Sequence, residues 1–485
     1  MQNPARYWIE VAMEANRRDF SIPDGATEPM SEHPGPTRSS RALALVLLSM
    51  HDAYFSALGY TPDDVGAVTW LPGLNAPAAT VPDVAMAGAA LGALRGLFAA
   101  PGQQDAFNKA MVAFQPLAPM DVDSMAWGTA VAKQVLDARK ADLDLLGADR
   151  PYSPGRYHHR SDPFAPKPQD LHGQLWGGCK PYAVPRQDLA EPPNWYAAAT
   201  PDHAFYNTEW NDVRDKGALT GHTRDADETV AGIFWAYDGA VNLGTPPRLY
   251  CQIALAVLDG LPAAAIGTED YVRLFGLMGA AMADSGIQAW HWKYHYDLWR
   301  PVIGIREADD CLGPRDPLPA GHIQYAQTDW PPLGAPATNQ GKRGTPPFPA
   351  YPSGHATFGT AAMQVLRRYI EFKSWGGNKL HPDADDGIAF NFISEELNGK
   401  NRDPDGSLRP RHQRHFASLW KAVLENSLSR VFLGVHWRFD GVTRKNAAGN
   451  AAHANPLPQT PADLGDVGGV SLGRRIGNYL MDNGF

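Results

Sequence analysis

The sequence is poor in cysteine, and the few it has form no pattern. Among 485 residues the cysteines are Cys179, Cys251 and Cys311, an odd number at irregular spacings. Such a set provides neither a disulfide framework nor the paired spacing of a zinc site. We therefore expect the three to be small, buried, apolar residues.

A long hydrophobic run is also missing. The longest apolar stretches, such as residues 42–50, are far shorter than the roughly 20 residues that cross a bilayer. The N-terminus lacks the basic start and apolar stretch of a signal peptide. We expect no membrane-spanning segment and an intracellular location by default, although some export routes leave no such mark.

Positive charge is not in excess. Lys and Arg number 43 against 52 Asp and Glu, which gives a formal net charge of −9. We therefore expect no general attraction to nucleic acid or to anionic lipid. Any anion that binds must be held by a local cluster of cations.

The alternation of apolar and polar residues typical of strands is not evident, and helical periodicity dominates. Between the helices lie connectors rich in Pro and Gly, mainly 150–207 and 312–351. The pattern therefore predicts an all-α fold with long irregular loops. The predicted helices are Ser39–Leu58, Val84–Ala99, Val122–Leu146, Thr229–Val241, Pro247–Leu258, Glu269–Arg300, His355–Phe372 and Phe416–Leu433.

Three segments carry the residue types that bind an oxyanion, and the first is WHWKYHYDLWRP at 290–301. Lys293 and Arg300 are seven residues apart, which on a continuous helix puts them on nearly the same face. Pro301 would end that helix. Two basic residues on one helix face usually point into solvent, but the surrounding aromatic residues indicate a buried helix.

The second segment is the tetrapeptide PSGH at 352–355. Ser353 suits a helix N-cap, and Gly354 lets a ligand approach the backbone closely. The free N–H groups and the positive end of the helix dipole then attract an anion. His355 follows directly, where it can exchange protons with the bound group.

The third segment is SRVFLGVHWRFD at 429–440. On an unbroken helix Arg430 and His436 would point to different faces, but Gly434 is a natural helix terminator that permits a turn. Asp440 is placed to hold the His436 imidazole in one tautomer. Taken together, three cations, a helix start and two histidines fit a tetrahedral oxyanion.

Other histidines are weaker candidates. His291 and His295 have helical metal-ligand spacing, but they flank Lys293, whose charge repels a cation, so we interpret them as packing residues. We expect the remaining pairs to lie at the surface: His158 with His159, and His412 with His415.

The ordered pattern Lys-x6-Arg-Pro, Pro-Ser-Gly-His and Ser-Arg-x5-His-x3-Asp resembles that of the vanadium-dependent haloperoxidases. Their superfamily also holds phosphatidic acid phosphatases and bacterial acid phosphatases. Four longer stretches are similar to fungal vanadium chloroperoxidases: FWAYDGAVNLGTPPRLY, PPFPAYPSGHATFG, ISEELNGKNRD and SRVFLGVHWRFD. The stretches HPGPTRSSRALALVLLSMHDAY and GGVSLGRRIGNYL look like bacterial and algal relatives.

The resemblance implies two helical bundles in one compact unit, with the cofactor site in the second bundle. We accordingly predict an N-terminal bundle with an irregular wrap over residues 1–200 and a C-terminal bundle over 201–485. The resemblance also implies one orthovanadate per chain. Phosphate fits the same cationic site equally well.

The resemblance further implies roles for individual residues. Lys293, Arg300 and Arg430 would neutralise the vanadate oxygens, and the Ser353 hydroxyl and Gly354 amide would hydrogen-bond to them. His436 would be the single ligand to vanadium, with Asp440 behind it. His355 would be the acid–base residue. Asp238 would pair with Arg430, and Trp290 and Phe348 would line a halide pocket.

The implied reaction is the oxidation of chloride or bromide by hydrogen peroxide to hypohalous acid, which then halogenates small organic acceptors. The same site would also suit an acid phosphatase with a phospho-His436 intermediate. A third alternative is an oxyanion-binding protein without catalysis, which would have no use for both histidines. The preferred halide, the acceptor and the oligomeric state, a homo-oligomer included, stay open.

Overall fold

The computed structural model describes residues 2–22, 30–59, 68–114, 121–145, 151–155, 157–193, 203–261, 266–307, 327, 329–336, 344–375, 381, 383–403 and 406–485. Within these ranges the chain is mostly helical. The α-helices are α1 Pro4–Asp19, α2 Gly35–Leu58, α3 Pro82–Leu97, α4 Pro101–Phe114, α5 Val122–Ala138, α6 His203–Gly217, α7 Ala226–Phe234, α8 Pro246–Asp259, α9 Thr268–Tyr296, α10 Pro301–Gly304, α11 Gly354–Phe372, α12 Leu419–Phe432, α13 Arg438–Gly441 and α14 Gly469–Asn483.

The helix α9 has a central place in the packing. It packs against α2 and also against α11, the helix that begins at the PSGH motif. The helices α3 and α5 pack closely because both carry glycine at the crossing. A Cβ on Gly128 would lie 1.8 Å from the Ala85 carbonyl oxygen. One contiguous apolar core has members from Ala5 near the N-terminus to Met481 near the C-terminus. The predicted boundary at residue 200 falls outside the described residues and stays a prediction.

The predicted all-α fold is confirmed as a mostly helical one, but two short hairpins were not predicted. The strand β1, Phe390–Asn398, pairs with β2, Arg411–Phe416, in an antiparallel hairpin. A second, shorter hairpin joins β3, Thr443–Lys445, to β4, Ala451–His453. The fold is therefore mostly rather than entirely helical.

Three predicted helices end well before the expected residue, and one of them is α5, which stops at Ala138 rather than Leu146. The helix α7 stops at Phe234 rather than Val241, and Tyr237 in the following turn has a φ of 43°. The helix α9 stops at Tyr296, because Asp297 takes a left-handed conformation with φ 49°. Arg300 consequently lies on extended backbone beyond the helix, and the predicted shared helix face with Lys293 was wrong.

Other expectations had mixed outcomes. The helices α1, α4, α6 and α14 were not predicted. Cys179 and Cys251 are buried and unbonded, as expected, while Cys311 lies outside the described residues. His159 is 2% exposed, so its predicted surface position was wrong. Among the helices described, none is long and apolar enough to cross a bilayer.

Candidate active site

The turn after α12 brings the third motif together at one point. The helix ends at Phe432, and Gly434 then takes a φ of 71°, a conformation that side chains disfavour. A Cβ at this position would also lie 2.5 Å from the Gly217 carbonyl oxygen. The chain therefore reverses here, and both Arg430 and His436 line the same cleft.

The imidazole of His436 is held between a carboxylate and a guanidinium. Its Nδ1 lies 2.8 Å from Asp440 Oδ2, and its Nε2 lies 2.8 Å from Arg300 Nη1. A guanidinium can only donate, so Nε2 accepts and Nδ1 carries the proton that it donates to Asp440. Burial and then the nearby cations hold the pKa of His436 well below its ordinary value. The ring is therefore neutral, with the Nε2 lone pair directed toward Arg300.

Arg300 has one nitrogen, Nη2, left without a partner among the described residues. Its Nε donates to the Phe348 carbonyl at 2.9 Å, and its Nη1 donates to the Val435 carbonyl at 2.8 Å as well as to His436. Its Nη2 is buried and has no hydrogen-bond partner in the described part of the chain. Burial lowers the pKa of Arg300 to about 9. An unsatisfied buried donor is costly and favours binding of an acceptor.

Arg430 is oriented by a carboxylate from a distant turn. Its two terminal nitrogens donate to Asp238 at 2.9 and 2.8 Å, a bidentate ion pair. Its Nε is buried and, among the residues described, lacks a partner. The pairing of Asp238 with Arg430 that the resemblance implied is thus present in the structure.

His355 lies at the start of α11, where Ser353 is the N-cap and its hydroxyl accepts from the Ala356 amide at 3.4 Å. The His355 Nε2 is 2.6 Å from the Ala236 carbonyl oxygen and 3.8 Å from Asp238 Oδ1. Because a carbonyl only accepts, Nε2 carries the proton and Nδ1 is the basic nitrogen. Burial, followed by repulsion from Arg430, lowers the pKa of His355 to about 3.

Lys293 is placed differently from what the sequence suggested. Its buried ammonium donates to the carbonyls of Pro349, Ala350 and Pro352 at 2.8, 3.0 and 2.6 Å. Burial, and then repulsion from Arg300, lowers its pKa well below the ordinary value. In the structure Lys293 therefore fixes the loop that leads into α11, and its contact with a bound anion stays a prediction.

Asp238, His355, Arg430 and His436 line the floor of a cleft of about 520 Å³. Trp290 and Phe348 pack on its wall with ring centroids 4.7 Å apart, and the Arg300 guanidinium lies 4.9 Å from the Phe348 centroid. The floor thus holds one cation, Arg430, and a second cation, Arg300, contacts it through His436. In the ranges described, no group of three or more His, Cys, Asp or Glu could hold a metal ion.

Sequence reasoning missed several cleft residues, among them His172. Its ring centroid lies 6.1 Å from those of both Trp290 and Phe348, and its Nε2 is 3.1 Å from the Thr37 hydroxyl. Its carbonyl accepts from the Trp290 indole at 3.1 Å. Burial lowers the pKa of His172 to about 4. It belongs to an irregular segment with no periodicity, so no local signal identified it.

Comparisons with known proteins show what this chain is similar to. The family model of the VCPO second helical-bundle domain matches residues 273–455. A vanadium chloroperoxidase from Curvularia inaequalis is 32% identical, over 99% of this chain and 89% of its own length. Two solved bacterial structures also share the fold. A vanadium-dependent iodoperoxidase has a TM-score of 0.66 at 20% identity, covering 99% of this chain and 95% of its own.

The second is a holo-type vanadium-dependent chloroperoxidase, with a TM-score of 0.58 at 15% identity, covering 96% of this chain and 97% of its own. At these identities the solved structures show the fold alone. Identity of 32% across nearly all of both sequences shows the family. This chain belongs to the vanadium-dependent haloperoxidases.

Proposed function

We propose that this protein binds orthovanadate and uses hydrogen peroxide to oxidise chloride or bromide to hypohalous acid, which halogenates small organic molecules. The observation that carries the proposal is the neutral His436, whose Nε2 lone pair faces Arg300 in a cleft that Arg430 also lines. Both arginines have a buried donor without a partner in the described chain, Arg300 Nη2 and Arg430 Nε.

The residues present fit a tetrahedral oxyanion. The two arginine donors would bind its oxygens, and the Ser353 hydroxyl and the amide of Gly354 at the first turn of α11 would add neutral hydrogen bonds. His436 Nε2 would be the one covalent ligand. Asp238, the carboxylate among the described residues that line the cleft, is neutralised by Arg430. Phosphate fits the same donors.

Each residue would have a defined task in the reaction. Bound vanadate supplies a Lewis-acidic centre for hydrogen peroxide. The unprotonated Nδ1 of the neutral His355 ring would accept a proton from the incoming peroxide. Asp440 keeps the proton on His436 Nδ1, so that Nε2 stays available. Arg300 and Arg430 would stabilise the negative charge that develops on oxygen.

The halide would bind against the aromatic wall. Trp290 and Phe348 are apolar and exclude water, which favours a weakly hydrated anion close to the cations above the Phe348 ring. The halide gives an electron pair to one peroxide oxygen, the O–O bond breaks, and the other oxygen leaves as water after protonation.

The test is halogenation of monochlorodimedone by protein freed of bound anions. Bromide and chloride are run separately with hydrogen peroxide, with and without added orthovanadate, beside hydrolysis of p-nitrophenyl phosphate. We expect halogenation that depends on vanadate and is lost in His436→Ala, while a matched variant of an exposed histidine, His415→Ala, retains it. Phosphate hydrolysis that vanadate inhibits, with no halogenation, would favour the acid phosphatase.

A further inference from the structure

The cleft is much larger than the proposed reactants need. Its volume of about 520 Å³ lies in the range of roughly 300–1,000 Å³ that holds a drug-sized molecule, whereas a halide ion and hydrogen peroxide have only a few atoms. Beyond the floor the cleft continues between the start of α2 and the loop before α11. This outer cleft is lined by Met30, Pro34, Pro36, Gly344, Pro346 and Pro347.

The outer cleft is suited to a neutral ligand. Among the described residues that line the whole cleft, the ionised side chains are Asp238 and Arg430, and these two neutralise each other. The remaining walls consist of proline, methionine, aromatic and small residues, together with the uncharged polar side chains of Ser31, Gln169, His172, Thr245 and Thr345. Trp290, Phe348 and Phe358 form the apolar surface nearest the floor, where an aromatic ring would pack favourably.

Besides Arg430 Nε, which is proposed to bind the anion, a second polar group in the cleft lacks a partner in the described chain. Thr345 lines the cleft and is 3% exposed, and its hydroxyl is buried without a hydrogen-bond partner in the described chain. The backbone of Thr345 is fixed on both sides, because its amide donates to Asp162 at 2.8 Å and its carbonyl accepts from Gln169 at 3.2 Å. A fixed, unsatisfied hydroxyl favours a ligand with one polar group.

We propose that the outer cleft binds the organic acceptor itself, a neutral, electron-rich aromatic molecule such as a phenol, beside the anion site. This inference rests on the proposed function, which supplies hypohalous acid at the floor. An aromatic carbon takes the halogen and a C–X bond forms. The O–X bond breaks with its electron pair on oxygen, and the ring proton joins that hydroxide to give water. Halogenation inside the cleft then fixes which ring carbon reacts.

The test compares product patterns, with phenol and bromide as the probe. The ortho-to-para ratio of bromophenols from the vanadate-loaded protein is measured beside the ratio from reagent hypobromous acid. The key variant is Gly344→Phe, because no described atom lies within 4 Å of a Cβ built at this position, so the new ring can occupy the outer cleft. Gly102→Phe is the matched control, since its Cβ is equally unobstructed and lies on α4, away from the cleft.

Oxidation of iodide to triiodide, which needs no organic acceptor, is followed in parallel. We expect the wild-type ratio to differ at least threefold from the reagent ratio, and Gly344→Phe to return it to the reagent value while iodide oxidation stays within twofold. Gly102→Phe should match the wild type in both. Equal ratios for wild type and reagent would overturn the proposal, because the oxidant would then react in solution.

Phenol binding to the anion-free protein, measured by saturation-transfer NMR, separates this proposal from the proposed function. A signal in the wild type that Gly344→Phe removes supports the acceptor site even if vanadate gives no halide oxidation. Absence of any signal in the wild type would count against the acceptor site alone.

Discussion

The backbone amide of Tyr237 donates to the buried carboxylate of Glu396 at 3.0 Å. This bond ties the hairpin strand β1 to the turn after α7, where Tyr237 has its left-handed conformation. The residues on either side are Ala236, whose carbonyl binds His355, and Asp238, which binds Arg430. The hairpin thus supports two groups of the candidate active site through a single backbone segment.

We predict that Glu396 is a positioning residue. Glu396→Ala leaves the Tyr237 amide without an acceptor and should lower kcat for halide oxidation about tenfold. In Glu396→Gln the side-chain oxygen still accepts, so kcat should return to near the wild-type value. Both variants remove the charge opposite Arg409. Asp403→Asn controls for this, because Asp403 is the other carboxylate on Arg409. An unchanged kcat in a folded Glu396→Ala protein would contradict the prediction.

The parts of the site that sequence could predict are those set by local chemistry. The N-cap at Ser353 and the left-handed turn at Gly434 follow from what serine and glycine do at helix ends. The early end of α9 could not be predicted in this way. The left-handed Asp297 there is held by two residues far earlier in the sequence. The His158 ring, 139 positions away, lies 3.0 Å from its carboxylate, and the His159 amide donates to its carbonyl at 2.8 Å.

The β1–β2 hairpin was missed for a related reason. Its strand has adjacent glutamates, which read as solvent-exposed, yet Glu396 is fully buried against Arg409 and Glu395 pairs with Arg248 at 2.7 Å. Only tertiary partners make such burial favourable. His172 is comparable, because its place in the cleft depends on hydrogen bonds with Thr37 and Trp290 from other elements.

A second prediction concerns stability in acid. His355 has a folded pKa of about 3 and an unfolded value near 6.5, so the unfolded chain binds more protons between these values. Its contribution to stability is present above pH 6.5 and is lost as pH falls toward 3. The free energy of unfolding of the anion-free protein, measured by urea titration, should therefore fall less steeply with decreasing pH in His355→Gln than in wild type. The two slopes should differ by at most about 1.4 kcal/mol per pH unit. Parallel curves for the two proteins would contradict it.

A third prediction tests the orientation of His436. Asp440→Asn replaces an acceptor with a group that can also donate, so the imidazole can turn to the tautomer with a proton on Nε2, facing Arg300. We expect about 10- to 100-fold weaker binding of orthovanadate by calorimetry, the range typical for loss of a carboxylate behind a ligating histidine. Asp212→Asn, which removes a carboxylate from Arg438, is the comparison. Equal affinity in all three proteins would show that Asp440 does not set the tautomer.

A fourth prediction separates backbone strain from steric collision at the turn that joins Arg430 to His436. Gly434 and Gly221 have nearly the same φ, 71° and 68°, but a Cβ would collide with the Gly217 carbonyl oxygen only at Gly434. Gly221→Ala should therefore cost about 1–2 kcal/mol in the free energy of unfolding, the strain of a left-handed alanine.

Gly434→Ala adds the collision and should cost clearly more, because the 2.5 Å approach can be relieved only by moving backbone. That movement would also shift His436 relative to Arg430, so orthovanadate should bind more weakly in Gly434→Ala and normally in Gly221→Ala. Urea unfolding and calorimetry on both variants measure the two effects. Equal losses of stability would mean that strain alone selects glycine at this turn, and that the close approach to Gly217 contributes nothing to the placement of His436.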